Sequence, residues 1–562
     1  MTIRGVRNLR RLSQVLFFAV FFWLILKTNF EVQFTPTNVT DIRLPYPVSI
    51  GLQFDPLTAL GILLSSGTIY KGLLWSLVIL IPTIFIGRFF CGWVCPLGSL
   101  NHWTSEIPSE RLTHKGKGKI ESNRYKKYQR LKYYILLVFI AAAFLGTLQI
   151  GLLDPLPLLA RSIGTAVLPT LHTASKGIVG WISSIGYPPL GVFAQKVYDQ
   201  VAPYLLPYRQ MHFHTILTIG LFFALILILN RVFARFWCRG ICPLGAMLGI
   251  FSRYAIFGLK KDETTCNHCN ECLMHCQGAD NPDIGSRWRQ SECHLCLNCQ
   301  AACPNKSLSF QFFPEQENTS ANPAGTPKVD ITRRKVLASL AGGLALFPLL
   351  RSGDAFKVNP DSRLIRPPGA VGEALFLAKC IRCGQCMRVC PNNALHPTLF
   401  ESGMEGVWSP LLIARIGYCE PTCTLCGQVC PTGAIMPLTV REKVGDEDIS
   451  PVRIGTAFID RGRCIPWAMG KTCIVCEEWC PTAIKAVYFH EEDFVDRSGR
   501  TLRLKRPYID LAQCTGCGAC EFACPVVDRP AVYVTAIGES RSAENQILLE
   551  RHRAASSGAG RR

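Results

Sequence analysis

Cysteine is the residue through which this chain can do chemistry. Twenty-four of its 28 cysteines fall into six quartets along 562 residues. Cys266, Cys269, Cys272 and Cys276 come first, then Cys293, Cys296, Cys299 and Cys303, both spaced C-x2-C-x2-C-x3-C. Cys380, Cys383, Cys386 and Cys390 repeat that rhythm, as do Cys514, Cys517, Cys520 and Cys524. Two variants lie between them. Cys419, Cys423, Cys426 and Cys430 open with three intervening residues, and Cys464, Cys473, Cys476 and Cys480 open with eight. Three thiolates at short spacing wrap one corner of a cubane, and a fourth, turned away by its proline, ligates the neighbouring cluster. Each pair of quartets therefore makes two [4Fe-4S] clusters, six in all. Structural zinc uses knuckles separated by longer loops, and disulfide frameworks belong to small secreted domains. Neither suits one dense spacing repeated along so long a chain, and the chemistry implied is electron transfer.

The remaining four cysteines stand apart, in two C-x3-C-P pairs. Arg88-Phe-Phe-Cys91-Gly-Trp-Val-Cys95-Pro-Leu-Gly98 matches Arg235-Phe-Trp-Cys238-Arg-Gly-Ile-Cys242-Pro-Leu-Gly245, an internal repeat. Cys91, Cys95, Cys238 and Cys242 lie at matching helix ends, so four thiolates could converge on one metal centre, act as two redox thiol pairs, or be structural. Thiolate ligation is a normal fate for clustered cysteines, and stable disulfides are disfavoured in a reducing compartment. Each half carries a second mark, Asp55-Pro56-Leu57 and Asp154-Pro155-Leu156. Ionisable groups near lipid are costly and usually functional. Asp55 and Asp154 are therefore the candidate catalytic residues, as proton acceptors for a quinol, with His212 and His214 behind them. The plainer readings are a helix or turn cap beside proline for each aspartate and interfacial anchoring for the histidines.

The elements that must position these residues are read from hydropathy and charge. The hydrophobic fraction is 49%, with its apolar runs concentrated in the first 235 residues, the pattern of a membrane protein. Four spans are expected, at Ser13 to Lys27 and near 73–90, 134–152 and 216–233. Arg4, Arg7, Arg10 and Arg11 precede the first span. Lys115, Lys117, Lys119, Arg124, Lys126, Lys127, Arg130 and Lys132 fill the loop between the second and third, which places both basic stretches in the cytoplasm. Segments 29–72 and 154–213 then face outward. A cleaved signal peptide is the alternative for the first span, but no small-x-small site follows it. The formal charge of +20 sits beside apolar spans, which favours membrane orientation over nucleic acid.

The plan is an α-helical membrane domain of two repeated helical hairpins with four spans and a fifth, plus two α+β bacterial-type ferredoxin domains. The expected boundaries are 1–255 for the membrane domain and 256–312 for a cytoplasmic two-cluster domain. A linker follows at 313–330, rich in small and polar residues, then a fifth span at 331–352, a periplasmic four-cluster domain at 353–540 and a disordered tail at 541–562. Thr332-Arg333-Arg334-Lys335-Val336-Leu337, ahead of a weakly hydrophobic run, resembles a twin-arginine export signal; an ordinary basic-flanked helix is the alternative.

The two C-x3-C-P pairs followed by two ferredoxin quartets resemble NapH, the quinol-oxidising membrane subunit of the periplasmic nitrate reductase system. The twin-arginine segment and the four later quartets resemble the periplasmic ferredoxin NapG and its methylamine-cluster relative MauM, so the chain looks like a fusion of the two. The same membrane motif pair occurs in regulators of nitrous-oxide reduction and of reductive dehalogenation. The resemblance implies a quinol dehydrogenase component of the bacterial inner membrane, with the N-terminus and first ferredoxin domain cytoplasmic and the last domain periplasmic. It also implies the quinone pool as donor and a c-type cytochrome or terminal reductase as acceptor. For the later quartets it implies pairing of outermost with outermost: Cys380, Cys383 and Cys386 with Cys524, and Cys514, Cys517 and Cys520 with Cys390. Cys430 and Cys480 would then exchange between the inner two, as Cys276 and Cys303 do in the first domain, with sequential pairing as the alternative. An accessory protein that spends electrons on activating a partner metalloenzyme would have the same sequence. A redox-driven ion pump fits less well, because the spans hold almost no mid-span polar residues. No haem attachment site or dinucleotide fingerprint occurs, and nothing in the spans visibly wires the two faces together.

Overall fold

The computed structural model describes residues 3–28, 41–68, 70–106, 120, 123–185, 187–205, 211–232, 234–276, 289–313, 331–351, 363–446, 448–495, 499–542 and 545–546. Lys115, Lys117 and Lys119 of the basic loop, nearly all of the expected linker and most of the expected tail lie outside these residues.

The N-terminal helix runs from Ile3 to Leu26. Among the described residues it is the one helix long and apolar enough to cross a membrane, over Gly5–Leu26. The other expected spans are shorter or broken. The second is a 3-10 turn, Lys71–Ser76, feeding a helix Leu77–Phe85 that holds Pro82 in its interior. Proline removes a backbone donor and clashes with the preceding turn, and Gly87 at φ 110 ends the run. The third is Leu131–Phe144 and the fourth Ile216–Val232. The segment expected to run outside as a connection folds instead into a helix Pro155–Ser162, a π-helical turn Ile163–Val167 and a helical hairpin of Leu168–Ser184 and Pro188–Leu205.

Together with the helices Pro56–Ser66, Pro96–Glu106 and Pro243–Phe251 and the turn Ile150–Leu152, these helices share a core that includes Leu57, Leu97, Leu136, Ile150, Leu158 and Leu244, all buried. Their outer faces are apolar too. Leu12, Leu16 and Val20 are exposed on the first helix, and Leu217, Leu221, Leu225 and Ile228 on Ile216–Val232, at the three- and four-residue spacing of one helix face. Arg333–Arg351 forms a helix packed on Leu131–Phe144, where Gly343 lies against Val138 and Ala141.

Two cysteine-rich units complete the fold. In the first, β1 (Phe257–Lys261) pairs antiparallel with β2 (Leu308–Phe312) around the quartets at 266–276 and 293–303. In the second, β3 (Leu395–Pro397) pairs with β4 (Pro410–Leu412), β5 (Thr456–Ile459) with β8 (Val532–Thr535), and β6 (Val487–Val495) with β7 (Thr501–Ile509), all antiparallel. Two-stranded sheets are marginal by themselves, so the loops between them need another source of rigidity.

The two units seat at different levels of the N-terminal helix. Arg10 Nη1 donates to Asn298 Oδ1 of the first unit at 3.0 Å, and Gln14 Nε2 donates to the Gly92 carbonyl at 2.8 Å. At the other end Arg388 Nε of the second unit donates to the Ile25 carbonyl at 2.8 Å and to Thr28 Oγ1 at 2.5 Å. Eleven residues separate Gln14 from Ile25, which at helical rise is about 17 Å.

Candidate functional site

In the second unit the cysteines gather into four sets. Cys380, Cys383 and Cys386 lie within electrostatic reach of Cys430. Cys423 and Cys426 have Cys419 and Cys390 as neighbours. Cys464, Cys473, Cys476 and Cys524 line one cavity, and Cys480, Cys514, Cys517 and Cys520 line another. Neighbouring quartets therefore exchange their fourth cysteine, the sequential alternative, and the expected exchanges of Cys390 with Cys524 and of Cys430 with Cys480 are corrected. The reason is local: β3 and β4 turn the chain back directly after Cys390, which leaves that thiol beside Cys419 rather than at the far end of the domain. The sets stand in a line, since Cys426 neighbours Cys386, the Cys419 amide donates to the Cys517 carbonyl at 2.8 Å, and Cys476 neighbours Cys520.

Two observations fit these sets to [4Fe-4S] clusters. Burial pushes the Cys383, Cys423 and Cys517 thiols up to about 12, and bound iron is what would favour their thiolate form. Buried cations stand ready for the resulting charge. Lys443 Nζ donates to the Glu420 and Cys423 carbonyls at 2.5 and 2.6 Å, beside Cys419, Cys423 and Cys426. In the first unit Cys303 reaches the set of Cys266, Cys269 and Cys272.

The C-x3-C-P cysteines come together. Cys242 is within electrostatic reach of Cys91, Cys95 and Cys238, and all four are buried. Each sulfur has one N–H donor. The Gly98 and Gly245 amides donate to Cys95 and Cys242 at 3.3 and 3.2 Å, Asn101 Nδ2 to Cys238 at 3.5 Å, and Arg88 Nη2 to Cys91 at 3.9 Å. Arg88 and Arg235 open the repeated motif, a sequence signal for their role. Asn101 has no counterpart in the second half and no such signal.

Asp55 and Asp154 also come together, fully buried. Each caps a helix with proline at its first position: Asp55 Oδ1 accepts from the Leu57 and Thr58 amides at 3.0 and 3.3 Å, and Asp154 Oδ1 from the Leu156 amide at 3.4 Å. Capping and pairing coexist. The two carboxyls lie within hydrogen-bonding range of each other, yet a carboxylate brings no donor, and Asp154 Oδ2 has no other partner. The contact closes only when one of the two carries a proton. Asp154 is also within electrostatic reach of Cys95. His212 and His214 lie elsewhere, against the second unit, where the His212 carbonyl accepts from Asn393 and the His214 ring stands 5.6 Å from that of His396.

Both units reach this core through glycine. A Cβ at Gly92, between Cys91 and Trp93, would strike the His294 carbonyl, while Trp93 Nε1 donates to the Leu295 carbonyl at 2.8 Å. A Cβ at Gly151 would strike the Ile381 carbonyl beside Cys380. There Arg161 Nη1 donates to the Arg382 carbonyl at 2.9 Å, and Arg382 Nη1 to the Leu148 carbonyl at 2.6 Å.

Family models agree with these positions. A model described as a 4Fe-4S binding domain matches 68–115 and again 214–262, the two C-x3-C-P regions. Two further 4Fe-4S binding domain models match 376–396 and 505–526. The ferredoxin-type protein NapG of Escherichia coli is 34% identical over 209 residues, covering 36% of this chain and 84% of its own. The methylamine utilization ferredoxin-type protein MauM of Methylorubrum extorquens is 34% identical over 202 residues, 34% of this chain and 80% of its own. An uncharacterized protein of Methanocaldococcus jannaschii, MJ0749, is 24% identical over 238 residues, 42% and 70% of the two chains. No solved structure matches. With its iron–sulfur motifs and this likeness, the chain belongs to the family of NapG and MauM ferredoxin-type electron-transfer proteins.

Proposed function

We propose that the chain oxidises quinol at the aspartate pair and passes the electrons through [4Fe-4S] clusters to an acceptor outside the membrane, a c-type cytochrome or a terminal reductase. The observation that carries this is the pairing of Asp55 with Asp154. Two buried carboxyls that share a proton titrate as a unit and retain room for one more, which suits a donor that must shed protons as it loses electrons. The exposed apolar stripes on Ile3–Leu26 and Ile216–Val232 favour a lipid setting. In it the N-terminus and first unit face the cytoplasm and the second unit the periplasm. Each bound cluster takes up one electron at a time. Asp154 Oδ2 receives a proton, Asp55 is held in place by the Leu57 and Thr58 amides, and Arg161 and Arg382 clamp the second unit over the pair.

The test uses membranes carrying the holoprotein and a reduced short-chain quinol. Asn caps helices about as well as Asp, so Asp154→Asn should keep its iron and its dithionite-reducible clusters while losing steady quinol oxidation. An unchanged rate sinks the proposal. A few turnovers that then stop, with the clusters intact, would point instead to a donor that activates a partner metalloenzyme.

A further inference from the structure

We infer that Arg161 and Arg382 raise the reduction potential of the set at Cys380, Cys383, Cys386 and Cys430, making it the most easily reduced of the four in the second unit and so the entry point for electrons. The inference rests on the electron-transfer reading above and deepens it, by naming the residues that fix where electrons enter.

Both guanidiniums are built into the seam between that set and the helical domain. Arg382 stands between Cys380 and Cys383 in the ligand loop. A Cβ at Gly384 would lie 3.6 Å from the Cα of Arg161, so the same loop rests on the Arg161 turn. Both side chains are buried, and the Trp408 ring covers the Arg161 guanidinium at 4.4 Å. Arg161 Nη1 donates to the Arg382 and Gly151 carbonyls at 2.9 and 3.4 Å, and its Nη2 to the Leu152 carbonyl at 3.2 Å. Arg382 Nη1 and Nη2 donate to the Leu148 and Glu405 carbonyls, both at 2.6 Å. Every one of these acceptors is neutral. Arg161 Nε and Arg382 Nε have no hydrogen-bond partner. Among the described residues neither guanidinium forms an ion pair with a carboxylate, and the Glu405 carboxylate is within electrostatic reach of Arg382 but not of Arg161.

A buried cation without a counter-ion is costly, and here the counter-charge lies in the set itself. Arg382 acts on Cys380, and Arg161 on both Cys380 and Cys383. Four thiolates round a cubane leave it anionic, and an added electron makes it more so. Fixed positive charge in a dry seam favours the more negative, reduced state. Arg366 also reaches Cys380, but Glu373 neutralises it. The other sets lack such a pair. Lys443 stands beside the set at Cys419, and beyond Lys443 no lysine or arginine is buried among the described residues. Position agrees with charge. The helix Pro155–Ser162 is capped by Asp154 and carries Arg161 in its last turn, about 10 Å along the axis, so one short helix holds the proton acceptor at one end and the cation at the other. One electron, drawn from quinol, enters the set; no bond is made or broken there, and both arginines keep their protons.

The experiment is a potentiometric titration of the full-length holoprotein in detergent, followed by electron paramagnetic resonance. Cys383→Ser, Cys423→Ser, Cys517→Ser and Cys473→Ser each change one ligand and hence one signal, which assigns the components to the four sets. In the wild-type protein the Cys383 component should have the highest midpoint of the four. Arg161→Gln should lower it by about 59 mV, a tenfold shift for one electron, with the other components unmoved, and Arg161→Lys, which keeps the charge, should restore it. Arg388 is the control. It is buried at the same seam, where its Nε donates to the Ile25 carbonyl, but no cysteine lies within its electrostatic reach, so Arg388→Gln should loosen docking without moving the midpoint. Unchanged midpoints in Arg161→Gln overturn the inference. So does an Arg161→Lys midpoint as low as that of the glutamine variant, or an equal shift in Arg388→Gln. A Cys383 component that is not the highest in the wild-type protein overturns it even where the arginine variants fail to assemble. Clusters that titrate as expected but are not reduced by quinol would sink the quinol reading while the tuning by the two arginines stands.

Discussion

Glu373 ties the end of the second unit to its beginning. Its carboxylate accepts from Arg366 Nη2 at 2.5 Å and from Arg541 Nη1 at 2.8 Å. Burial alone would raise its pKa, but the two guanidiniums outweigh burial and hold it at about 2, against an ordinary 4.5. A carboxyl lowered in this way contributes stability that is complete above pH 4.5 and disappears as pH falls toward 2. Glu539 shares Arg541 and is pushed upward by burial, so comparison with Glu373→Gln isolates the Glu373 share. The variant should lose roughly 3 kcal/mol at pH 7, and its deficit in thermal melts should shrink steadily below pH 4.5. A deficit independent of pH would refute the assignment. At this scale the grouping of the cysteines was legible in the sequence, because three members of each set lie close together in the chain. That fourth cysteines exchange was legible, but which quartets exchange them was not, since the turn between β3 and β4 decides it. Asp55 and Asp154 could be picked out by their repeated Asp-Pro-Leu context, but only the fold brings the two carboxyls to one another.

Among the elements, the two glycine seats control how the cysteine-rich units dock, and each should be separable from the other. Gly151→Ala sets a methyl against the Ile381 carbonyl, and Gly92→Ala sets one against the His294 carbonyl. Backbone on both sides leaves neither contact room to yield by a side-chain rotation. Gly151→Ala should loosen the second unit, exposing the chain near Arg382 to protease and slowing quinol-driven reduction of its clusters, with iron content unchanged. Gly92→Ala should leave that reduction intact and disturb the first unit alone. Protease patterns identical to wild type in both would show that the seats are not tight. The sequence was a partial guide here. Ile216–Val232 is a continuous apolar run and reads as a helix, whereas Pro82 and Gly87 break the second expected span. The hairpin Leu168–Leu205 mixes Lys176, Lys196 and Asp199 among its apolar residues, which hides it from a hydropathy scan even though Trp181, Val192 and Phe193 are exposed on it.

Over the whole molecule, the line of four sets in the second unit gives electron flow an end. It starts at Cys380, Cys383, Cys386 and Cys430 above the aspartate pair, passes Cys419 and Cys517, and stops at Cys464, Cys473, Cys476 and Cys524. Around that last set Val527 is 87% exposed and Met469 61%, with Ile474, Lys471 and Arg529 also exposed. Apolar side chains rimmed by charge, beside a terminal redox site, have the makeup of a transient docking patch. Lys471 and Arg529 at this rim favour an acceptor with an acidic face. Val527→Glu should therefore slow quinol-driven reduction of a soluble acidic c-type cytochrome by roughly tenfold, the equivalent of about 1.4 kcal/mol of contact, and should flatten its loss with salt. Cluster reduction by quinol should stay at the wild-type rate. Phe400→Glu is the control, since Phe400 is also largely exposed, at 74%, but follows β3, near the set where the line begins. If Phe400→Glu slows the cytochrome and Val527→Glu does not, electrons leave near Cys380 and the remaining sets form a side branch rather than the route out.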